Sequence, residues 1–282
     1  MFIKALLAKS FLCNLFALAR FSHARKYLLK ACLRNLDPYH TFVLSKNRKR
    51  SLCIWAIQQI KHRKRHVSED LFYWELNGEK WLANLDHVHG LYEYLNGSFE
   101  RFYSCECKDK VVLDVGGYIG DSARYFLKKG AQKVVIYEPV EKNVFCMREN
   151  LKEDAHAIEI ISKAIAGHVG TVTLSSNYPE GHIGFGNRDG RYQMSVQSET
   201  FSSILSNRQI DLAKIDCEGN EKYLLSVEDA LLRTIPYWII EVHDAHVAEQ
   251  VDRKFRSAGF EKQHALVPDG HQSVVHYFLV SE

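Results

Sequence analysis

The stretch at residues 111–121 constrains the fold of this 282-residue chain more than any other. It opens with a largely apolar, β-branched run, which predicts a buried parallel strand. A turn with three glycines follows, and residues 122–130 then predict a helix that ends on glycine. A strand, a glycine-rich turn and a helix in this order are typical of the first crossover of a nucleotide-binding α/β fold.

The spacing of these glycines indicates which ligand the turn suits. A dinucleotide site needs Gly-x-Gly-x-x-Gly, which would require glycine at position 115, where valine stands. The chain has Asp114-x-Gly116-x-x-x-Gly120 instead. An acid is a poor neighbour for a pyrophosphate but a good one for a ligand with an ammonium group and a sulfonium. The residues therefore favour S-adenosylmethionine over NAD, and a plain tight turn in another α/β protein is the alternative.

A second acid follows the next predicted strand. Residues 133–137 are mostly apolar and β-branched, and Glu138 comes directly after them, 24 positions beyond Asp114. This separation is close to the ~20 residues expected for an acid that accepts hydrogen bonds from ribose hydroxyls. Because the ends of neighbouring parallel strands meet at one edge of a sheet, we expect both acids at the same rim.

Four segments in this order resemble the FkbM-type family of S-adenosylmethionine-dependent methyltransferases: residues 114–121, 137–139, 211–221 and 240–243. The third is the most distinctive, with Asp-Leu-x-Lys-Ile-Asp-x-Glu-Gly-x-Glu. The resemblance covers roughly residues 70–260. It implies a Rossmann-like methyltransferase fold and, usually, O-methylation of sugars or other small hydroxylated molecules. The family often has alanine and asparagine after the first glycine, where this chain has Gly117 and Tyr118, and that difference changes the pocket wall.

The remaining periodicity completes the predicted sheet. Further strands are predicted at residues 157–164, 170–176, 210–216, 237–243, 260–266 and 274–280. Helices are predicted at residues 141–151 and 245–258, the second with Asp244 as its N-cap and Gly259 at its end. The predicted fold is α/β, a Rossmann-like class I methyltransferase sheet that is mostly parallel with an antiparallel edge hairpin, preceded by a helical basic N-terminal extension. Residues 177–196 predict a mobile substrate lid, with a flexible linker as the alternative.

The predicted cofactor-binding residues gather at the rim of this sheet. They are Asp114, Gly116, Gly117, Tyr118, Gly120, Asp121, Glu138 and Ala164. Gly116→Val should therefore abolish cofactor binding while the fold survives.

Asp216 and His243 are the predicted catalytic residues. A carboxylate or an imidazole at a strand end could take the proton of an acceptor hydroxyl, which is worth ~10² to 10⁴ in rate. Lys214 is a weaker candidate because it is charged unless desolvated. Asp216 could instead bind the cofactor amino group or cap a helix, and His243 could make a structural hydrogen bond. Together with Glu218 and Glu241 they could also bind a divalent cation such as magnesium, but no ligand spacing demands one, and metal stays unassigned.

The net charge of +3 conceals an uneven distribution. Residues 1–66 carry 15 basic side chains and one acid, whereas the remainder carries 22 basic and 33 acidic side chains. We therefore divide the chain into a basic helical extension (1–66), a hairpin and helix that lead into the core (67–107) and an S-adenosylmethionine-binding domain (108–282). The basic extension could contact an anionic membrane surface or nucleic acid, or form a solvated helix face.

The cysteine content and the N-terminal segment limit where the protein is expected to be located and what it is expected to do. Seven scattered cysteines are not a disulfide framework and indicate a reducing compartment, so we expect a cytoplasmic protein. Residues 1–19 could be a packed helix, an interfacial anchor or a targeting segment. The predicted function is O-methylation of a small-molecule or glycan-like acceptor. A nucleic-acid methyltransferase and a non-catalytic adaptor that binds membranes or nucleic acid are the alternatives, and no oligomeric state is predicted.

Overall fold

The computed structural model describes residues 63–66, 71–76, 78–84, 87, 91–95, 97–176, 192–264 and 273–280. The chain divides into two compact units, residues 1–89 and 90–282. The predictions for residues 1–62 and for residues 177–191 of the lid lie outside the described residues. Over its last five residues, 192–196, the lid prediction is wrong, because they belong to a strand that pairs with residues 170–176. The predicted domain limits at residues 66 and 107 stay predictions.

The first unit contains a three-stranded antiparallel sheet with the strands β1 (Arg63–His66), β2 (Phe72–Leu76) and β3 (Glu79–Ala83). Strands β2 and β3 form the hairpin that Asn-Gly predicts, and Gly78 has the positive φ, +82°, that such a turn needs. Trp74 and Trp81 lie opposite each other and are buried. The prediction of helix as far as His66 is wrong over β1, because that segment pairs its backbone with β2.

The described residues of the second unit form ten strands: β4 (Val111–Val115), β5 (Lys133–Tyr137), β6 (Ile158–Ile161), β7 (Ala164–Ile165), β8 (Gly170–Ser176), β9 (Tyr192–Glu199), β10 (Leu212–Ile215), β11 (Tyr237–Val242), β12 (Phe260–His264) and β13 (Ser273–Leu279). Seven of them form one sheet in the order β12-β13-β11-β10-β4-β5-β6. The pairs from β11 to β6 are parallel, and β13 runs antiparallel to both β11 and β12. The predicted mostly parallel sheet with an antiparallel edge hairpin is confirmed.

The α-helices that accompany these strands are α1 (Tyr92–Leu95), α2 (Phe99–Phe102), α3 (Asp121–Lys128), α4 (Glu141–Asn150), α5 (Phe201–Asn207), α6 (Asp229–Leu232) and α7 (Ala245–Ser257). Helix α7 begins as predicted, because the Asp244 side chain accepts hydrogen bonds from the backbone N–H groups of His246 and Val247 at 2.9 and 3.0 Å. Two short 3₁₀ helices, Lys152–Ala157 and Glu221–Ser226, complete the described helical segments.

The seven-stranded sheet is buried on both faces, as its apolar parallel strands require. One face carries a cluster in which Phe255 packs between Trp238 and Tyr277, with ring centroids 5.4 and 4.6 Å away. The other face carries a cluster in which Tyr103 and Phe126 pack together at 6.2 Å. The two clusters hold the strands rigidly, and the carboxyl ends of β4, β5 and β10 are positioned by that packing.

The segment after β5 departs from the prediction. Strand β6 ends at Ile161, and Ala164 belongs to β7, which pairs with β9 and not with β5. Strands β7, β9 and β8 form a separate three-stranded sheet, so the predicted single strand over residues 157–164 is wrong at its end. The chain leaves the main sheet here because the backbone of β7 finds its hydrogen-bonding partner in β9.

Helices long and apolar enough to cross a membrane are absent among the residues described above.

An acid-sensitive ion triad ties β5 and β6 to the segment before β10. Glu159 accepts from Arg208 Nη2 and Lys133 Nζ, both at 2.7 Å, and these bonds lower the pKa of Glu159 to about 2. Because this pKa lies below the usual value of 4.5, the stabilisation is present above pH 4.5 and is lost as the pH falls through 2. We expect Glu159→Gln to cost about 1 kcal/mol near pH 6, after allowing for solvent screening, and progressively less as the pH falls toward and below 2.

Urea unfolding of both proteins at several pH values measures this difference. Glu149→Gln is the matched control, since its pair with Lys152 is an exposed i,i+3 contact, and should change the free energy of unfolding by under about 0.5 kcal/mol at every pH. A Glu159→Gln effect that stayed constant from pH 6 to pH 2 would contradict the ionic origin.

Candidate functional site

The glycine turn after β4 lies between the ends of two neighbouring strands. The backbone N–H groups of Gly116 and Gly117 donate to the Tyr137 carbonyl at the end of β5, at 2.9 and 3.2 Å. On the other side, the Asp216 N–H donates to the Val115 carbonyl at 3.0 Å. The turn, Glu138 after β5 and Asp216 after β10 therefore meet at one rim, as the sequence predicts for acids that follow parallel strands.

Packing within the protein requires glycine at position 116, whether or not a ligand binds there. A Cβ atom at this position would lie 1.8 Å from the backbone carbonyl oxygen of Asp216, and the residue has a φ of +83°. The expectation that Gly116→Val leaves the fold intact is therefore wrong. Two neighbouring strand ends approach so closely here that no side chain fits between them.

Asp114 lies beneath the turn and is fully buried. Its Oδ2 accepts a hydrogen bond from Ser122 Oγ at 2.6 Å, and its Oδ1 lies 3.2 Å from Lys214 Nζ. Lys214 also donates to the Gly116 carbonyl at 2.9 Å. Asp114 was predicted to bind cofactor, and in this geometry its carboxylate oxygens face partners within the protein, which makes it an anchor for the turn.

Lys214 is held as a cation. Burial by itself would lower the pKa of Lys214, but Asp114, Asp216 and Asp121 outweigh burial and raise it above the usual value. A buried ammonium between carboxylates cannot act as a base near neutral pH, so Lys214 joins the turn to β10 without taking a proton.

Glu138 is a buried acceptor at the edge of the turn. Its Oε1 accepts from the Val140 N–H and Asn143 Nδ2 at 2.9 and 3.1 Å, and its Oε2 accepts from the Tyr118 N–H at 3.0 Å. Burial raises the pKa of Glu138 to about 7, and the three donors oppose that effect. A carboxylate has about four acceptor positions, so Oε2 retains one for a ligand hydroxyl.

Four further residues were predicted to bind the cofactor: Tyr118, Gly120 and Asp121, which precede Glu138 in the chain, and Ala164, which follows it. Tyr118 has a φ of +49° and Gly120 a φ of +93°, which turn the chain sharply into α3. Asp121 is the first residue of α3 and is buried, and burial raises its pKa to about 7. Ala164 is buried at the start of β7 and pairs with Ser198, so its backbone belongs to the smaller sheet.

Asp216, Glu218 and His243 form a cluster at the ends of β10 and β11, and we call it the rim triad. His243 Nε2 lies 3.6 Å from Asp216 Oδ1 and 3.5 Å from Glu218 Oε2. The second oxygen of Asp216, Oδ2, faces Lys214 Nζ at 3.5 Å. The two predicted catalytic residues are thus brought together. The side chains of Asp216 and Glu218 are 26% and 24% exposed, whereas His243 is 9% exposed.

The charge on His243 follows from these neighbours. Burial alone would lower the pKa of His243, but the hydrogen bond to Glu221 and the charges of Asp216 and Glu218 raise it to about 10. His243 therefore carries a proton near neutral pH when carboxylates are its only neighbours, which disfavours the predicted role as a base.

Glu221 orients His243 from below the rim. Its side chain is fully buried, and its Oε1 lies 3.1 Å from His243 Nδ1. The same carboxylate accepts from the backbone N–H groups of Cys217 and Gly219 at 3.0 Å each. Although burial alone would raise the pKa of Glu221, these contacts lower it below its usual value.

Glu221 and Lys214 have larger structural roles than the sequence indicates. Glu221 begins a short 3₁₀ helix, and its carboxylate also shapes the loop after β10 by accepting from Cys217 and Gly219. The sequence signal for Glu221 is the Asp-x-Glu-x-x-Glu spacing from Asp216 to Glu221.

Glu241 lies near Asp216 in the same part of the sheet. Burial together with the charge of Asp216 raises the pKa of Glu241 to about 8.

The solved structures that this chain resembles include methyltransferases. A putative RNA methyltransferase from Pyrococcus horikoshii is 13% identical, with a TM-score of 0.41, over 66% of this chain and 85% of that one. A precorrin-6y C5,15-methyltransferase from Geobacter metallireducens is 12% identical, with a TM-score of 0.40, over 66% and 87%. TrmK from M. capricolum, solved with S-adenosylhomocysteine, is 12% identical, with a TM-score of 0.37, over 60% and 62%. A comparison with curated proteins finds no significant match.

The family comparison covers the site itself. The family model described as a methyltransferase FkbM domain matches residues 114–262, which is more than half of the chain. The match begins at the glycine turn and includes Glu138, the whole rim triad and Glu221. The chain therefore belongs to the FkbM family of methyltransferases.

Proposed function

We propose that this methyltransferase uses S-adenosylmethionine to methylate a hydroxyl group of a small-molecule or glycan-like acceptor. The observation that carries the proposal is the direct packing of Gly116 against the Asp216 carbonyl. This contact joins the glycine turn, which suits the cofactor, to a partly exposed carboxylate that an acceptor can reach.

The residues around the turn fit S-adenosylmethionine. The unused acceptor position on Glu138 Oε2 suits a ribose hydroxyl. Asp121 and Asp216 add carboxylates that suit a cationic ligand. When bound, the cofactor supplies a methyl group on a sulfonium that is already activated for displacement by a hydroxyl oxygen.

Asp216 is the residue that we assign to the acceptor hydroxyl. Its Oδ2 faces Lys214 Nζ at 3.5 Å, which holds the carboxylate in place, and the side chain is partly exposed. A carboxylate in this position orients the hydroxyl oxygen and draws its proton away. Positioning of the acceptor contributes much of the rate in a direct displacement, and proton removal adds ~10² to 10⁴.

Asp216→Asn tests the assignment. The amide keeps the shape of the side chain but cannot take a proton, so turnover should fall at least about 100-fold while the dissociation constant for S-adenosylmethionine changes less than about threefold. Calorimetric titration with the cofactor, with NAD as control, measures binding, and release of S-adenosylhomocysteine with a panel of hydroxylated acceptors measures turnover. Unchanged turnover would remove Asp216 from the mechanism, and no cofactor binding by the native protein would overturn the proposal.

A nucleic-acid acceptor remains the second candidate, favoured by the basic segment at residues 1–66. The same assay with RNA in place of small acceptors distinguishes the two, because salt should suppress methylation of a polyanion far more strongly than that of a neutral acceptor.

A further inference from the structure

The geometry points to a divalent-cation site in the rim triad, formed by Asp216, Glu218 and His243. A hard or borderline ion such as Mg²⁺ or Mn²⁺ suits this mixture of two carboxylates and one imidazole. Among the part of the chain that the structure describes, these three residues bring one ligand atom each to within 4.8 Å of one another.

The distances match the spacing of ligands around one ion. His243 Nε2 lies 3.6 Å from Asp216 Oδ1 and 3.5 Å from Glu218 Oε2. Ligand atoms bound at about 2.2 Å in tetrahedral or octahedral directions stand about 3 to 3.6 Å apart. The separations are also too long for good hydrogen bonds, so Nε2 faces the two carboxylates across a gap.

The orientation of His243 is the independent observation that favours a metal. The side chain is 9% exposed, and its Nδ1 is held by the fully buried Glu221. Among the described residues, none makes a hydrogen bond with Nε2, which is aimed into the triad. A carboxylate that holds the far nitrogen of a histidine fixes its tautomer and directs the other nitrogen toward a metal.

The backbone presents the third ligand. Glu218 has a φ of +55°, in the left-handed region that few residues other than glycine adopt. The loop is held in this conformation by Glu221, whose carboxylate accepts from Cys217 and Gly219 on either side of Glu218. One buried acid thus positions two of the three ligands, the imidazole by a direct bond and Glu218 through its backbone.

The contacts of Asp216 leave one of its oxygens for such an ion. Lys214 neutralises Oδ2 of Asp216, so that Oδ1 remains for the cation. Three protein ligands leave coordination positions open, and an acceptor with two neighbouring oxygens, such as a vicinal diol, would chelate there. Only this chelation of the acceptor rests on the proposed function, because it requires that the acceptor hydroxyl approaches Asp216.

The test is Mn²⁺ binding to the full chain after chelation and desalting, measured from the free-ion signal by electron paramagnetic resonance. We expect one saturable site in the absence of cofactor and acceptor. Glu218→Gln and His243→Gln should each weaken binding at least about tenfold, and Glu221→Gln about 10- to 100-fold. Nitrogen coupling to the bound ion in pulsed spectra should disappear in His243→Gln.

Glu241→Gln is the matched control. Glu241 is a neighbouring carboxyl group that the sequence offered as a ligand, but it contributes no ligand atom to the triad, so binding should change less than about threefold. Glu218 is partly exposed, so Glu218→Gln should keep the native melting temperature and its result stays interpretable. No saturable binding, equal binding by all variants, or equal loss in Glu241→Gln would each overturn the inference. A protein that binds Mn²⁺ at this triad but transfers no methyl group would contradict the proposed function alone.

Discussion

Gly116→Ala is expected to destabilise the protein by about 3 kcal/mol or more and to abolish cofactor binding. The new Cβ would lie 1.8 Å from the Asp216 carbonyl oxygen, which belongs to the backbone and cannot rotate away. The ends of β4 and β10 would have to separate, and this separation would disrupt the parallel pairing that positions Asp216. Urea unfolding measures the free energy, and calorimetric titration with S-adenosylmethionine measures binding.

Gly219→Ala is the control that separates collision from backbone strain. Gly219 also has a positive φ, +100°, but an added Cβ there would meet no atom within 4 Å. This substitution should therefore cost only the ~1 to 2 kcal/mol of a left-handed alanine. Equal destabilisation by the two variants would mean that the close approach at Gly116 contributes nothing beyond its backbone conformation.

Lys214→Met is expected to cost about 3 to 5 kcal/mol, because it leaves the fully buried Asp114 without its cation. Methionine fills much of the same volume, so the loss reports the missing charge and the missing bond to the Gly116 carbonyl. Adding Asp114→Asn should recover part of the loss, since it removes the unpaired charge. Urea unfolding of the single and double variants measures both effects.

Lys133→Met is the surface control for this prediction. Its ion pair with Glu159 is at 2.7 Å, but the lysine side chain is 42% exposed, and such pairs contribute at most about 1 kcal/mol. If Lys214→Met were no more destabilising than Lys133→Met, or if Asp114→Asn gave no recovery, the buried pair would not be the anchor of the turn.

Much of the fold could be predicted from local patterns. The runs that became β4, β5, β10 and β11 are apolar and short, and such runs predict buried parallel strands wherever helical segments separate them. The Asn-Gly turn between β2 and β3 and the Asp244 cap of α7 are equally local signals. These predictions succeed because each depends on residues adjacent in the chain.

One failure involves a partner that is distant in the chain. Strand β7 leaves the main sheet because β9 supplies its hydrogen bonds, with Ser198 paired to Ala164. Backbone pairing across such a separation has no periodic signature in the sequence. The other failure is local: residues 63–66 are basic and suggest a solvated helix, yet they form β1 and pair with β2, the next strand along the chain.

The candidate site divides in the same way. The sequence by itself determined that Asp114, Glu138 and Asp216 follow or end parallel strands, so it placed them at one rim and indicated a cationic ligand. Only the tertiary structure decided what each acid does there. Burial and charge pairing make Asp114 an anchor, leave Glu138 with one free acceptor position, and direct His243 toward Asp216 through Glu221. A side chain's role depends on which atoms surround it, and that is set by the packing of strands that the sequence keeps far apart.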